Sequence, residues 1–466
     1  MQSSSGKSSE SAPDVTAPES TAPQSASAPS APVQTSFRLK SIPSPATLLI
    51  PCRGLREDDL SSMKPAGTLV SRGDSLFSSP VDAATVPRAP VDGKIVGQEL
   101  APITRDVYVP VIRFEPTSKE NVQSEKRLTR DQIAPMMAAL SGVSSDELAD
   151  RLAALSVWAD RWASPNLLAQ LRGPHRKPID TILCNVLDED PAVPLQANVA
   201  ADWPVEVVAG VMAIATACKA KNVLTVVAYA GPSECWHGLR AASADTSMRL
   251  IPLVNEYPKS HPSILVHELT RRRIAPGELP SDRGVLVLDA AAAVAVGRAI
   301  ASNEPMLSCP IAVHDYLRRK THYFDVPIGT RVDDLLAQMT PAGAFDLRAG
   351  CPLREVKLNA DCVIGGDELT IAIVPPQAAA NVEPCIRCAW CAEGCPVYIR
   401  PAALLDAAQQ EDLYVAAQNG MDACIECGIC SFVCPSHLPL LPAIRTLQSL
   451  QEGTRSHKPQ PAEANP

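Results

Sequence analysis

The sequence predicts a multidomain protein of combined α/β and α+β class. Its 466 residues exceed what one ordinary hydrophobic core contains. Strand-like and helix-like runs alternate through the middle of the chain, which predicts a sheet with helices on its faces. Short β-like runs separated by turn residues flank this region on both sides and predict smaller β-rich modules. Several folding units are therefore expected along the chain.

The composition argues against several classes of function. The chain has 42 Lys and Arg against 51 Asp and Glu, a net charge of −9, which disfavours nucleic acid as a partner. The longest apolar stretches, 207–218 and 285–301, are bounded or interrupted by charged residues and fall short of the roughly 20 residues that span a bilayer. The N-terminus has no apolar signal-peptide segment. We therefore expect a cytoplasmic protein without direct membrane insertion.

The first elements are a tail and a small β domain. Residues 1–36 are rich in Ser, Ala and Pro and have almost no large apolar side chains, so a disordered tail is predicted. From 37 to 128, β-like runs such as Ala46–Pro51 and Val107–Phe114 alternate with turn signals, among them Ser71–Asp74. This pattern predicts a β sandwich or barrel.

The second domain is predicted over 129–305. Ser144 and Glu147 have the spacing of a capping box that opens an amphipathic helix. The β-α alternation follows, and its predicted strands and helices are Thr181–Cys184, Val205–Ala220, Val223–Ala228, Gly284–Leu288 and Ala290–Ala301. Such alternation predicts an α/β domain.

Three segments complete the chain. Residues 306–376 return to short strands, with a helical pattern at Arg331–Met339 and a closing strand at Leu369–Val374, and predict a compact β-rich module. Residues 377–448 contain the clustered cysteines after a linker rich in Pro and Ala. Residues 449–466 are polar and are predicted to form a disordered tail.

The cysteine segment contains two copies of the pattern C-x2-C-x2-C-x3-C-P, at Cys385–Pro396 and Cys424–Pro435. This spacing is typical of proteins with two [4Fe–4S] clusters, in which the fourth cysteine of each copy ligates the other cluster. The predicted ligands of the first cluster are Cys385, Cys388, Cys391 and Cys434. Those of the second are Cys424, Cys427, Cys430 and Cys395.

Two other interpretations of the cysteines remain open at this stage. Four thiolates also suit tetrahedral zinc, and paired cysteines could form disulfides. The repeated third and fourth cysteines, each fourth one followed by proline, have no use in a zinc ribbon and favour the clusters. Clusters with four cysteine ligands have no open position for a substrate, so the sequence predicts one-electron transfer.

The second copy, Cys424–Leu440, resembles the cluster signature of the RnfC family of the Rnf electron-transport complex, which is related to the cobalamin reductase of propanediol utilisation. The resemblance covers roughly residues 37 to 448. It implies a barrel-sandwich hybrid domain (37–128) and an α/β domain like the flavin- and NADH-binding subunit of complex I (129–305). It further implies a β-grasp, soluble-ligand-binding module (306–376) and a two-cluster ferredoxin-like α domain (377–448).

The sequence departs from that family in the α/β domain. The family's glycine-rich phosphate-binding loop is replaced by Asp160–Arg172, which lacks glycine, and a later glycine-rich element has become Tyr257–Pro262. The family's Asn and acidic element persists, so the resemblance implies Asn185, Asp188 and Asp190 as contacts for a flavin or nucleotide. We therefore expect two [4Fe–4S] clusters, with FMN and NADH binding lost or remade.

The first functional hypothesis is electron transfer as an RnfC-like subunit, with redox proteins and membrane subunits of an Rnf-like complex as partners. The resemblance implies a peripheral position on the cytoplasmic face of the inner membrane. A second hypothesis is an FMN-dependent NADH dehydrogenase or cobalamin-reductase-like flavoenzyme. A third is an assembly scaffold in which the clusters stabilise the fold.

Overall fold

The computed structural model describes residues 39–55, 60–78, 85–104, 106–117, 127–339, 341, 343–376 and 381–456. These residues all belong to the unit Arg38–Pro466. The predicted N-terminal tail at 1–36 lies outside the described residues, as do 377–380 of the predicted linker and 457–466 of the predicted C-terminal tail.

The N-terminal sheet is antiparallel and forms a small β unit. Its strands, in spatial order, are β2 (Leu48–Pro51), β5 (Val107–Pro116), β4 (Gly93–Thr104) and β3 (Leu69–Val70). Alternate residues of these strands face a common core, in which Ile50, Ile95 and Phe114 are buried. A bulge between Ile95 and Gly97 bends the long β4–β5 hairpin.

The middle of the chain forms the predicted α/β domain. Its parallel sheet has the order β8 (Met248–Leu253), β7 (Asn222–Ala228), β6 (Thr181–Asn185) and β9 (Val285–Asp289). The surrounding helices are α1 (Ile133–Leu140), α2 (Ser145–Ala154), α3 (Leu167–Leu171), α4 (Leu195–Asp202), α5 (Pro204–Cys218), α6 (Ser233–Ala242), α7 (Pro262–Thr270) and α8 (Ala290–Ser302). The predicted α/β class of this region is confirmed.

The chain order reverses between strands β6 and β9 of this sheet. β7 and β8 follow β6 on one side, whereas β9 lies on the other side of β6, with Asn185 opposite Asp289 in the register. In open parallel sheets this reversal leaves a crevice at the carboxyl ends of the strands, where ligands commonly bind. Asn185 and Asp289 therefore lie at the sheet edge where a ligand site is expected.

Two sequence features account for local details of the helices: a capping box begins α2, and glycines allow α5 and α8 to approach closely. Ser144 Oγ accepts a hydrogen bond from the Glu147 amide (3.2 Å) and Glu147 Oε2 accepts one from the Ser144 amide (2.9 Å), so the predicted capping box is confirmed. Helices α5 and α8 approach closely at Gly210 and Gly297. A Cβ on Gly210 would lie 1.9 Å from the Ala293 carbonyl oxygen, so this packing requires glycine.

The third sheet is mixed and has one helix against it, α9 (Val332–Leu336). Its strand order is β1 (Lys40–Ser41), β11 (Lys320–Pro327), β10 (Ser308–Asp315), β14 (Thr370–Val374), β12 (Asp346–Ala349) and β13 (Val356–Leu358). Strand β1 pairs in parallel with β11. The N-terminal residues of the described chain therefore extend the sheet of the predicted 306–376 module.

The C-terminal region is helical. Its helices are α10 (Trp390–Glu393), α11 (Pro401–Gln409), α12 (Leu413–Gln418), α13 (Ile429–Phe432) and α14 (Leu440–Ser456). The prediction of a disordered segment from 449 is wrong for 449–456, which continue α14. Buried Ile444 and Leu447 anchor this helix, and Gln451 extends the contact by donating a hydrogen bond to Asp422.

Within the described ranges, no single helix is both long and apolar enough to cross a membrane. By length and composition alone, the pair α4 and α5 would suffice, but the two helices are bent by 97° at their junction.

Candidate metal centre

The two cysteine loops have the same backbone conformation. Left-handed φ angles occur at Arg387 (57°), Ala389 (67°) and Tyr398 (58°) in the first loop. They recur at the equivalent positions of the second loop, Glu426 (53°), Gly428 (75°) and His437 (51°). Alternation of right-handed and left-handed residues turns successive amide N–H groups towards one point, a geometry that recurs at iron–sulfur sites.

The short helices of the two loops repeat as well. Helix α10 begins directly after Ala389, and α13 begins directly after Gly428. In each loop the fourth cysteine carbonyl closes a turn: Cys395 accepts from the Tyr398 amide (3.2 Å) and Cys434 accepts from the His437 amide (3.1 Å). The sequence repeat is therefore also a structural repeat.

One of the two predicted ligand sets lines a single cavity. Cys395, Cys424, Cys427 and Cys430 line one small cavity together with apolar side chains that include Ile399 and Leu441. The fourth cysteine of the first motif thus lies beside the first three cysteines of the second motif, as the spacing predicted. The assignment of all four as ligands stays a prediction.

The other predicted set lies nearer the surface. Cys391 and Cys434 pack against one apolar cluster, which contains Cys430, Leu438, Leu440 and Leu441, so Cys434 of the second motif lies near Cys391 of the first. Cys388 is partly buried, and Cys385 is exposed. The two sets therefore differ in solvent access, since Cys395, Cys427 and Cys430 are buried.

The chemistry of these thiols fits an iron–sulfur cluster. All fifteen cysteines lie in described ranges and are free thiols, which disfavours the disulfide alternative. Burial raises the pKa of the Cys424 and Cys430 thiols to about 12, against the opposing effect of backbone amide donors. Such thiols lose their protons readily only to a bound cation, and soft thiolates prefer iron–sulfur clusters and zinc. Among the described residues, no group of three or more His, Cys, Asp or Glu is arranged to hold one metal ion.

Two aromatic residues of the α/β domain contact the second cysteine loop. The indole Nε1 of Trp162 donates to the Ile425 carbonyl (2.6 Å), and the Tyr257 hydroxyl donates to the Cys427 carbonyl (2.5 Å). Both residues lie in the segments that replace the glycine-rich elements of the resembled family. The sequence indicated only that the glycine-rich elements are replaced in these segments. It did not indicate their contact with the second cysteine loop, because no local pattern links residues so far apart along the chain.

The β-rich module (306–376) also contacts the second cysteine loop. A Cβ on Gly428 would lie 1.6 Å from the Leu353 carbonyl oxygen. Arg445 of α14 donates to the Arg354 carbonyl (2.8 Å) and pairs with Glu426 (2.7 Å). The second loop is therefore enclosed by three parts of the chain.

The predicted flavin-contacting residues are all buried and already hydrogen-bonded within the protein. Asn185 donates to the Ser260 carbonyl (2.8 Å). Asp188 accepts from the Gln196 amide (2.5 Å), and Asp190 accepts from the Ala192 amide (2.9 Å) and from the Tyr316 hydroxyl. Burial raises the pKa of Asp188 well above its ordinary value, against the opposing effect of backbone donors. These contacts order the loop after β6.

The crevice beside Asn185 contains an ion pair that the sequence did not reveal. Arg161 makes two 2.7 Å hydrogen bonds to Asp289, and both side chains are less than a tenth exposed. Asp289 also caps α8 by accepting from the Ala292 amide (2.7 Å). In the sequence, Asp289 stands directly before a predicted helix, and acidic residues at that position commonly cap helices, so its capping role could have been predicted. Nothing in the sequence indicated its pairing with Arg161.

The side chains at this crevice do not fit FMN as they stand. A pocket here is lined by four acidic side chains, Asp188, Glu189, Asp289 and Glu368, and its cationic side chain, Arg161, is already paired with Asp289, so it offers a phosphate no unpaired positive charge. The segment that replaces the glycine-rich loop folds on itself through paired backbone hydrogen bonds between Arg161 and Ser164 (2.7 and 3.0 Å).

Comparison with protein families agrees with this architecture. Residues 166–298 match the sequence model of the Nuo51 FMN-binding domain, and residues 384–439 match that of the 4Fe-4S dicluster domain. The second matched domain type corresponds to the [4Fe–4S] clusters expected from the sequence. The first is an FMN-binding type, the cofactor whose binding the sequence was expected to have lost or remade, and Arg161 is paired with Asp289 in its crevice.

Curated relatives extend the similarity along the chain. The RnfC protein of the ion-translocating oxidoreductase complex of Pasteurella multocida is 28% identical over 284 residues, and that of Rhodobacter capsulatus is 24% identical over 397 residues. The predicted similarity to the RnfC family is confirmed. These matches cover 58% and 82% of this chain. The matched region spans 33% of the Pasteurella protein and 74% of the Rhodobacter protein.

Solved structures give a weaker likeness. A chain of the NAD+-reducing [NiFe]-hydrogenase in the H2-reduced state superimposes with a TM-score of 0.46 at 13% identity, covering 71% of this chain and 65% of that chain.

Proposed function

We propose that this chain transfers single electrons through two [4Fe–4S] clusters, as an RnfC-like subunit of an oxidoreductase complex. The observation that supports it best is the duplicated cysteine loop, whose two copies share their left-handed positions, together with the position of Cys395 beside Cys424, Cys427 and Cys430. When bound, each cluster supplies one-electron redox chemistry. Cys385, Cys388, Cys391 and Cys434 would hold the first cluster. Cys424, Cys427, Cys430 and Cys395 would hold the second.

The surroundings of the two ligand sets suggest a direction for the relay. The second set lies in an apolar cavity and is hydrogen-bonded to the α/β domain through Trp162 and Tyr257. The first set includes the exposed Cys385. Because electron tunnelling requires close approach, the first set is the side at which a redox partner would exchange electrons.

The surface around the first set supports this assignment. Ile386 is 68% exposed, Trp390 55% and Phe432 71%, and helices α10 and α13, which contain the last two, contact each other. Exposed apolar patches of this kind mark interaction sites. We assign this face to a protein partner of the same oxidoreductase complex, with its own redox centre near the contact surface.

The finer domain assignment is part of the same proposal. We assign 37–128 to a barrel-sandwich hybrid, 129–305 to the FMN-domain-like α/β unit, 306–376 to a β-grasp module and 377–448 to the ferredoxin-like domain. The curated relatives suggest membrane subunits as further partners. A peripheral position on the inner membrane, held through such subunits, follows from that suggestion.

Anaerobic reconstitution tests the proposal. The full chain, loaded with iron and sulfide, should show the broad violet absorbance of [4Fe–4S] clusters, and dithionite should bleach it. In the reduced state, EPR should show two cluster signals, broadened by their mutual interaction. One signal, or none, would contradict the two-cluster assignment.

The same sample separates the alternatives. Release of FMN on denaturation, together with bleaching by NADH, would support the flavoenzyme hypothesis instead. A scaffold would keep its partner complex when Cys388→Ser and Cys427→Ser abolish the clusters. We expect no bleaching by NADH, because the pocket at Asp289 is lined by acidic side chains and Arg161 is already paired there.

A further inference from the structure

A two-step hydrogen-bond chain links the α/β domain to one predicted cluster ligand. Trp162 Nε1 donates to the Ile425 carbonyl oxygen at 2.6 Å. The same peptide group continues to the amide of Glu426, which donates to Cys424 Sγ at 3.4 Å. The indole N–H and the cysteine sulfur are therefore connected through a single peptide unit.

The indole is fixed in this position from several sides. Its ring stacks on Tyr257 at 5.9 Å with an interplanar angle of 14°, and the His261 ring lies at 4.8 Å. The guanidinium of Arg354, which is paired with Glu189 and Glu368, lies 5.4 Å from the ring centroid. Because the Tyr257 hydroxyl is hydrogen-bonded to the Cys427 carbonyl, the indole N–H of Trp162 stays aligned with the second cysteine loop.

A hydrogen bond to a peptide carbonyl polarises the whole peptide group and strengthens its N–H as a donor. Hydrogen bonds to cluster sulfurs favour the more negative, reduced state and raise the reduction potential. We propose that Trp162 is a positioning residue that raises the reduction potential of the second cluster through the Ile425–Glu426 peptide. This inference rests on the proposed function, because it requires Cys424 to ligate that cluster.

The first loop provides an internal reference. Its residue equivalent to Ile425 is Ile386, which is 68% exposed, whereas Ile425 is 8% exposed and lies against the α/β domain. The two loops share a backbone and differ in surroundings. The contact with Trp162 should therefore separate the potentials of the two clusters, with the second cluster the more easily reduced for this reason.

The test is Trp162→Phe, which keeps an aromatic ring and removes the N–H donor. In the full reconstituted chain, an EPR-monitored redox titration should show the ratio of reduced to oxidised second cluster falling about threefold to tenfold at fixed potential. For a one-electron couple this corresponds to about 30–60 mV. The first cluster should titrate as before. Trp158→Phe is the matched control, because Trp158 Nε1 donates to Asp367 at 3.2 Å and makes no contact in this chain of bonds.

The possible outcomes are distinct. An unchanged potential of the second cluster, or an equal change in Trp158→Phe, would overturn the role of Trp162. If Trp162→Phe loses cluster content, resonance Raman spectra of the wild-type protein in H2O and D2O decide the matter. Exchange at the Glu426 amide should shift the Fe–S(Cys) stretching bands of the second cluster, and absence of that shift would overturn the proposal. Failure of the wild-type chain to form a second cluster would instead contradict the proposed function.

Discussion

Arg161 holds Asp289 in a two-bond ion pair at the point where the chain order of the parallel sheet reverses. The guanidinium Nε and Nη2 each lie 2.7 Å from a carboxylate oxygen, and the side chains are 6% and 3% exposed. Arg161 also donates to the Gly366 carbonyl (2.7 Å). The crevice of the α/β domain is thus tied to the β-rich module by a buried charge network.

Breaking this pair should weaken the α/β domain. Asp289→Asn keeps an oxygen for capping α8 but leaves Arg161 without its counter-charge, at an expected cost of about 3–5 kcal/mol. Hydrogen exchange of the β6 and β9 amides would report the loss as a lower free energy of local opening. Asp245→Asn removes an exposed partner of Arg130 and should change opening by less than about 1 kcal/mol. Equal effects of both changes would contradict this account.

Asp188 should make stability depend on pH. Its pKa in the folded protein is raised, chiefly by burial, above the value of about 3.9 expected when unfolded. Its favourable contribution is therefore complete below that value and is lost as pH rises through the folded pKa. Asp188→Asn cannot ionise, so the difference between its unfolding midpoint and that of wild type should grow in favour of the variant as pH rises above about 4.

Thermal unfolding at a series of pH values checks this expectation. The gain at the upper end should be roughly 1 kcal/mol, the scale of a buried polar group relieved of its desolvation cost. Asp406→Asn, at an exposed position of α11, serves as the control and should follow wild type throughout. A difference in unfolding midpoint between Asp188→Asn and wild type that does not vary with pH would contradict this prediction.

The crossing of the ligand sets has a spectroscopic consequence. Cys395 belongs to the first motif in sequence but lies in the cavity with Cys424, Cys427 and Cys430. Cys395→Ser should therefore perturb the EPR signal of the second cluster, and Cys434→Ser that of the first.

A third variant controls for general damage from losing a thiol. Cys218→Ser, in helix α5 and outside both sets, should retain both signals. If Cys395→Ser altered the same cluster as Cys388→Ser, the ligand sets would follow the motifs instead of crossing.

Gly428 and Ala389 occupy equivalent left-handed positions of the two loops, with φ of 75° and 67°. Gly428→Ala should displace the second loop, because the new Cβ would meet the Leu353 carbonyl oxygen. We expect cluster content to fall markedly and stability by about 3 kcal/mol or more. Ala389→Gly should be tolerated and should relieve about 1 kcal/mol of backbone strain.

Iron content and urea unfolding of the two variants measure these effects. The reverse ranking, with Ala389→Gly the more damaging change, would show that the contact with Leu353 does not restrain the loop.

Much of this protein could be predicted from local sequence patterns. The capping box at Ser144 and Glu147 involves residues three apart, and the strands β6, β7 and β9 have largely apolar stretches, so these elements were predicted to within a few residues. Strand β8, which contains Arg249, was not predicted. The helices α4, α6 and α7 were not predicted, because their apolar patterns are short and interrupted. The extension of α14 to Ser456 was missed because its polar residues gain support from packing at Leu447 and Asp422.

The sequence by itself determined the two cysteine motifs, their spacing and the similarity that follows from them. These are local properties, since ligand spacing fixes a loop of a few residues. The tertiary structure alone decided that Arg161 would pair with Asp289 beside Asn185 and that Trp162 would reach the Ile425 carbonyl. Arg161 and Asp289 lie 128 residues apart within the α/β domain, and Trp162 and Ile425 lie 263 residues apart in separate domains. Only tertiary packing brings each pair within hydrogen-bond distance.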